Sequence, residues 1–243
     1  MTLRYAVLLL GLPPIVGLYI GATFLLLDTD KTYVQYMIIA PLVYIMGSIP
    51  WGYMVFRLHQ GADIRTYGSG KIGTSNILRT AGLRVAIVVL ALDVSKGVLA
   101  VFLARAISDS PVTELLAALL TMIGHNWPLF LGFKGGRGLA PAAGSMAIFS
   151  PLSIAIGLIF FFAVTLSTKF LSLGSLVAVI VVFVVLMIQV TTNNTEVAYL
   201  VFICTGGLMI FWQHRDNIQR LLKGTERRIS SRTKNITEEK VDN

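Results

Sequence analysis

The stretch "DIRTYGSGKIGTSNILRTAG", residues 63–82, lies between two apolar runs, and its reading decides the rest of the chain. Each flank is apolar enough to lie in a lipid bilayer. The stretch itself holds four glycines, four Ser/Thr hydroxyls before Asn76, and the cations Arg65, Lys71 and Arg79. A soluble reading fails on composition. The 243 residues are 55% hydrophobic and only 13% charged, about half the charged fraction of an ordinary soluble domain, and mean hydropathy is +0.77. The apolar residues also come in long blocks, which marks a polytopic membrane protein.

Blocks at 5–27, 34–56, 85–106, 112–131, 171–190 and 196–213 predict transmembrane spans, and a further block covers 139–167. All should be helices, because a lipid-exposed segment must satisfy its own backbone hydrogen bonds. The first block is too long for a signal-peptide core and no small-residue cleavage site follows, so it reads as a retained span. Loop 57–84 carries Arg57, Arg65, Lys71, Arg79 and Arg84, so the positive-inside rule places it in the cytoplasm. Counting forward puts "FKGGRG" (133–138) inside, "TTNNTE" (191–196) outside and the basic tail inside. Block 139–167 must then begin and end on the same side. As one helix it would run roughly 43 Å, longer than one hydrocarbon core, and Pro151 falls within it. Splitting it into a short helix 139–149 and a second helix 151–167 gives a hairpin or re-entrant unit. Every polar motif then faces one compartment. The predicted fold class is all-α, a polytopic membrane bundle of about seven core helices, one short or re-entrant, plus an extra N-terminal span.

Loop 63–82 has the composition of a phosphate cradle: glycines for close backbone approach, hydroxyls and a helix N-terminus as donors. It lacks the P-loop spacing, and a glycine-rich loop alone is more often a plain turn. Asp93 and Lys96 lie inside a predicted span at i,i+3, where they can neutralise one another or serve a site. The structural pair, with Lys96 snorkelling toward the cytoplasm, is the favoured reading. "GHNWPLFLGFKGGRGLA" (124–140) holds a second cationic glycine turn at Lys134, Gly135, Gly136, Arg137 and Gly138, while His125 caps or bonds within the bundle. His214 and Asn217, at i,i+3 in "WQHRDNIQRLLKGTE", share a face. They either bind an anion and supply a base or form an ordinary solvated helix end. The one cysteine, Cys204, reads as packing, and no Cys/His cluster suggests a metal. The tail after His214 carries eight Lys/Arg against five Asp/Glu. Without aromatic interleaving it suits anionic lipid better than nucleic acid.

Taken in order, "GSIPWGYMVFRL", "GADIRTYGSGKIGTSNILRTAG", "LDVSKG", "GHNWPLFLGFKGGRGLA", "SLGS" and "HRDNIQRLLKGTE" resemble the bacterial acyl-phosphate:glycerol-3-phosphate acyltransferase family from about residue 36 to 228. The resemblance implies a multi-pass enzyme of the bacterial cytoplasmic (inner) membrane with its active site facing the cytoplasm. It implies acyl transfer from acyl phosphate to the sn-1 hydroxyl of glycerol 3-phosphate, giving lysophosphatidate and inorganic phosphate. No cofactor and no metal are implied. The partners would be the two substrates, membrane lipids and an acyl-phosphate-supplying enzyme, with no nucleic acid. It divides the chain into an additional span at 1–32, a catalytic membrane domain at 33–228 and a polar tail at 229–243. Carried over residue by residue, catalysis falls to His214, Asn217 and Ser69. Substrate phosphate binding falls to Arg79, Gly68, Gly70, Lys71, Asn76, Lys134, Gly135, Gly136, Arg137, Ser172 and Ser175. Asp93 and Lys96 remain a structural or site pair. Three positions depart from the family pattern: Lys71 where Asn is usual, Arg137 where Lys is usual, and Pro141 where Thr is usual. A transporter, or an inactive homologue that binds lipid phosphate, are the rival readings; the transporter is disfavoured because the chain has no internal repeat and its motifs gather at one interface.

Overall fold

The structure, a computed structural model, describes Leu18 and residues 31–230. The expected N-terminal span and the end of the tail therefore fall outside the described residues, apart from Leu18. The described helices are α1 (Thr32–Ser48), α2 (Trp51–Gln60), α3 (Thr74–Ala81), α4 (Leu83–Ile107), α5 (Pro111–Asn126), α6 (Leu139–Phe149), α7 (Pro151–Thr168), α8 (Leu171–Thr191), α9 (Val197–Gln213) and α10 (Arg215–Leu222). The chain is an all-helical multi-pass bundle. α1 with α2, α4, α5 extended by the turn to Leu131, α7 and α8 are each long and apolar enough to cross a membrane, and α9 with α10 forms a sixth candidate bent by 59°.

Proline sets the breaks. Ser150 caps α7 by accepting the Ser153 N–H, and Pro151 opens that helix, so block 139–167 is two helices. The same effect acts where a continuous span was expected. The 34–56 block is interrupted at Ile49-Pro50, and the 112–131 block stops at Asn126, two residues before Pro128, with a short 3₁₀ turn at Leu129–Leu131. Pro141 breaks nothing. It lies in the first turn of α6, where its missing N–H would have had no intrahelical partner.

Glycines bring the helices into backbone contact. A Cβ on Gly97 of α4 would overlap the Pro141 carbonyl of α6, and one on Gly144 of α6 would overlap the Val94 carbonyl of α4. Gly47 and Gly124 do the same between α1 and α5. Small residues at crossings are the usual way for helices to associate in lipid. Lys96 corrects one expectation. It does not snorkel; it is 1% exposed, bonded to the Gly47 and Ile49 carbonyls at the α1–α2 break and paired with Asp93 at 3.0 Å. Cys204 is exposed on the outside of α9 rather than packed within the bundle.

The two ends of the bundle differ. At one, Arg105 grips Glu114 through two bonds of 3.0 Å, Tyr199 donates to the same carboxylate, and Ser150 and Ser153 donate to Gln189. At the other lie the 61–73 loop, the 127–138 loop, the α7–α8 connection and α10. α6 joins the two ends in an unusual way. Ser150, just past its end, meets Gln189 near the end of α8. From Leu171 to Gln189 is about 27 Å of helix, whereas from Leu139 to Ser150 is about 17 Å. The α6 stretch is therefore about 10 Å shorter than the α8 stretch.

Candidate active site

Each polar motif is shaped locally before it meets the others. In the first loop, Asp63 accepts the Arg65 N–H at 2.9 Å and binds the Arg65 guanidinium, which also lies over the Tyr53 ring. Arg65 is thus held within its own turn. Asn76 is fully buried. Its Nδ2 donates to the Tyr67 and Lys71 carbonyls at 3.0 and 2.9 Å, and its Oδ1 accepts the Ser69 N–H at 3.2 Å. Its amide is occupied by the loop, so Asn76 gives the cradle its shape and is not itself placed to hold a phosphate. Gly68 (φ 55°) and Gly70 (φ 67°) take the left-handed backbone that the turn requires. The Gly70 N–H is used by the Tyr67 carbonyl.

The second loop is fastened to the end of α5. Gly135 N–H donates to the Asn126 carbonyl at 3.2 Å and Gly136 N–H to the His125 carbonyl at 3.0 Å. A side chain on Gly136 would strike the His125 ring. Gly135 and Gly136, expected to bind substrate phosphate, thus use their N–H groups within the protein and permit close packing of the loop on α5.

In the "SLGS" turn, Ser172 donates to Glu226 at 2.9 Å, while Ser175 bonds back to the Leu171 carbonyl at 2.8 Å. Both hydroxyls are engaged within the protein rather than presented to a phosphate. In the last motif, Asn217 donates to Glu226 at 2.7 Å and Arg220 Nε at 2.9 Å. Glu226, 8% exposed, is thus the hub joining α8 and α10. His214 stands at the α9–α10 bend with Nδ1 2.8 Å from the Ile210 carbonyl. A carbonyl only accepts, so the proton sits on Nδ1 and the Nε2 lone pair is available. Burial, then the nearby Arg137 charge, pushes this imidazole down to about 4, so it is neutral at pH 7.

The motifs meet in a surplus of positive charge. Arg79 is 8% exposed. Its guanidinium feels Arg227, Glu226 and Arg220, and that of Arg137 feels Arg79, Arg220, Glu226 and Asp216. Burial, then repulsion by these like charges, pushes both guanidiniums down to about 10, where they stay charged. Burial and then Arg137 and Arg215 lower Lys71 as well. Cations depressed together in one place are a mark of a functional site. The same region holds buried polar atoms without protein partners: Ser69 Oγ, Thr74 Oγ1, Arg79 Nε, Arg137 Nε, Asn217 Oδ1 and both amide atoms of Asn126. Such atoms are costly unless a ligand or water completes them. Beside this cluster opens a cavity of about 250 Å³, whose lining includes Lys71, Lys134, Arg215, Asn126, Trp127 and Trp212.

Glu226, Arg220, Arg227, Thr74 and Asn126 were not singled out from the sequence. Glu226 lay within a quoted motif, but only the chain's return across α10 reveals its three donors. Arg227 reaches back to the Gly68 carbonyl at 3.3 Å, and Ile229 N–H to the Lys169 carbonyl at 2.8 Å.

The family described as glycerol-3-phosphate acyltransferase matches residues 36–224. Glycerol-3-phosphate acyltransferase 2 of Moorella thermoacetica is 41% identical over 191 residues, covering 78% of this chain and 95% of that protein. The glycerol-3-phosphate acyltransferase of Synechococcus sp. (strain CC9902) is 40% identical over 200 residues, covering 82% and 97%. The crystal structure of PlsY (YgiH), an integral membrane glycerol 3-phosphate acyltransferase in its glycerol 3-phosphate form, superposes with a TM-score of 0.72 at 32% identity, covering 78% of this chain and 93% of that one. A lysophosphatidic acid form of the same enzyme matches with a TM-score of 0.69. The chain belongs to the glycerol-3-phosphate acyltransferase family.

Proposed function

We propose that the protein transfers an acyl group from an acyl phosphate to the sn-1 hydroxyl of glycerol 3-phosphate, at the cytoplasmic face of a bacterial inner membrane. The products are lysophosphatidate and inorganic phosphate. The observation that carries this reading is the cation surplus around buried Arg79 and the neighbouring, partly buried Arg137, next to a second group of cations, Lys71, Lys134 and Arg215, on the cavity wall. One reaction that needs two anion-holding groups side by side is transfer between two phosphate-bearing substrates. The solved relative in its glycerol 3-phosphate form and its lysophosphatidic acid form supports the acceptor and product.

An acyl phosphate is a mixed anhydride, so its carbonyl is already activated and phosphate is a good leaving group. The protein need only hold the acceptor hydroxyl within about 3–3.5 Å of the carbonyl carbon and stabilise the developing oxyanion with nearby cations. The hydroxyl oxygen attacks the carbonyl carbon, its proton passes to Nε2 of His214 or to a substrate phosphate oxygen, and the bond from carbon to phosphate oxygen breaks. This route needs no metal and no acyl-enzyme. Ser69 fits a donor's role, because its hydroxyl lacks a hydrogen-bonded base.

The test is incubation of purified protein with palmitoyl phosphate and glycerol 3-phosphate, scoring lysophosphatidate, with palmitoyl-CoA as the rival donor. Product formed only with palmitoyl phosphate supports the reading. Product formed equally well from the thioester overturns the donor assignment, and hydrolysis with no acceptor-dependent product overturns the acyl transfer. Rapid quench with labelled acyl phosphate and no acceptor tests direct attack: a stable label on Ser69, Ser172 or Ser175 would establish a covalent route.

A further inference from the structure

Three buried ionisable groups stand outside the chemistry just described. Asp93 and Lys96 are each 1% exposed and His125 is 3% exposed. Lys96 Nζ lies 3.0 Å from Asp93 Oδ1, and the same oxygen lies 3.5 Å from His125 Nδ1. Charges so deep in a bundle are expensive, and a pair that merely cancelled itself could be replaced by apolar residues with little loss.

What the three groups touch is informative. Lys96 donates to the carbonyls of Gly47 and Ile49, which precede Pro50 at the α1–α2 break. It therefore holds the root of α2. α2 in turn carries the first glycine loop, since Gly52 packs so closely on the Ile72 carbonyl that no side chain fits between them. On the other side, His125 supports the second loop twice: its carbonyl accepts the Gly136 N–H at 3.0 Å, and its ring lies under Gly136 where a Cβ would be. A continuous line of contacts thus runs from the first loop through α2, Lys96, Asp93 and His125 to the second loop.

We propose that Asp93, Lys96 and His125 are positioning residues that fix the distance between the two glycine loops, and with it the distance between the two bound phosphates. The inference rests on the acyl-transfer reading of the site. A misplacement of about 1 Å in a reaction between two bound substrates can cost roughly 100-fold, so a network of this kind acts on catalysis without touching either substrate.

The test uses the full chain in detergent with three variants: Asp93→Asn/Lys96→Met, which removes both charges together, His125→Leu and His125→Gln. Thermal midpoint, kcat and the KM for each substrate are measured. Asp93→Asn/Lys96→Met and His125→Leu are expected to keep midpoints within a few degrees of the parent and to raise the KM for glycerol 3-phosphate roughly 10- to 100-fold. His125→Gln, which can place an amide N–H toward Asp93, should recover most of that loss. Folded variants with unchanged KM and kcat would overturn the proposal, as would an activity loss that follows the midpoint and is not recovered by His125→Gln. Where the doubly neutral protein does not fold, His125→Leu decides alone. A parent protein with no acceptor-dependent transfer would sink the acyl-transfer reading instead. Calorimetric binding of glycerol 3-phosphate to parent and variants would then still show whether the network sets affinity.

Discussion

Arg79 carries a charge that its surroundings resist. Its Nε has no partner, its guanidinium faces Arg227 and Arg220, and the one nearby carboxylate, Glu226, already holds Ser172, Asn217 and Arg220. A dianion would reverse this balance, and a planar fork suits two phosphate oxygens where an ammonium offers only a point charge. Arg79→Ala should therefore cost about 2–4 kcal/mol, or roughly 30- to 1000-fold in kcat/KM, and Arg79→Lys should be nearly as damaging. Steady-state kinetics with both substrates check this; a lysine variant close to the parent would show that charge alone suffices. His214 makes a second residue-scale prediction. Its folded pKa of about 4 lies below the ordinary 6.5, so the unfolded chain binds a proton that the folded one refuses. The stability associated with neutral His214 is full above pH 6.5 and is lost as pH falls toward 4. Thermal midpoints in detergent should drop across that window, and His214→Gln should flatten the slope. At this scale much was legible. Gly68, Gly70, Lys71, Arg79, Lys134 and Arg137 stood out because cations and glycines clustered between apolar spans have few ordinary uses. Glu226 was not legible, because a carboxylate in a mixed-charge tail shows its three donors only after the chain returns on itself. Nor could residue type separate Asn76, which shapes the loop, from a residue that binds substrate.

The elements were readable where length decided and unreadable where a proline was hidden in an apolar run. α4, α8 and α9 lie within two residues of the blocks that predicted them, since about 20 apolar residues match one bilayer core. The break at Pro151 followed from parity. The breaks at Pro50 and Pro128 arise from the same missing N–H, but no topological conflict drew attention to them. The first loop folds as an element in its own right, with the Asn76 amide satisfying three backbone groups of residues 67–71. Asn76→Ala leaves those groups without partners, and Asn76→Asp keeps the acceptor while losing the donors. Both variants should lower kcat/KM by about 10-fold or more while the spans stay helical. Circular dichroism beside the assay separates loop failure from global unfolding: equal loss of helix and activity would show that Asn76 supports the whole bundle instead.

At the scale of the molecule, the four polar motifs gather at one end, and the cation count of loop 57–84 is the basis for proposing that this end faces the cytoplasm. In a Cys204→Ala background, Gln60→Cys and Thr225→Cys should react with an impermeant thiol reagent only from the cytoplasmic side, and Asn194→Cys only from outside. All three positions are exposed, so access is set by the membrane. Cytoplasmic labelling at position 194 would undo the assignment of sides. The shortness of α6 has one more consequence. At 11 residues, about 17 Å, it is too short to cross a hydrocarbon core of about 30 Å, so with its far end bonded to the end of α8 its near end lies within the bundle. On the proposed acyl-transfer reading, a loop that starts part-way across the bundle would let the oily reactant enter sideways with its tail in the leaflet, while the hydrophilic one enters from water.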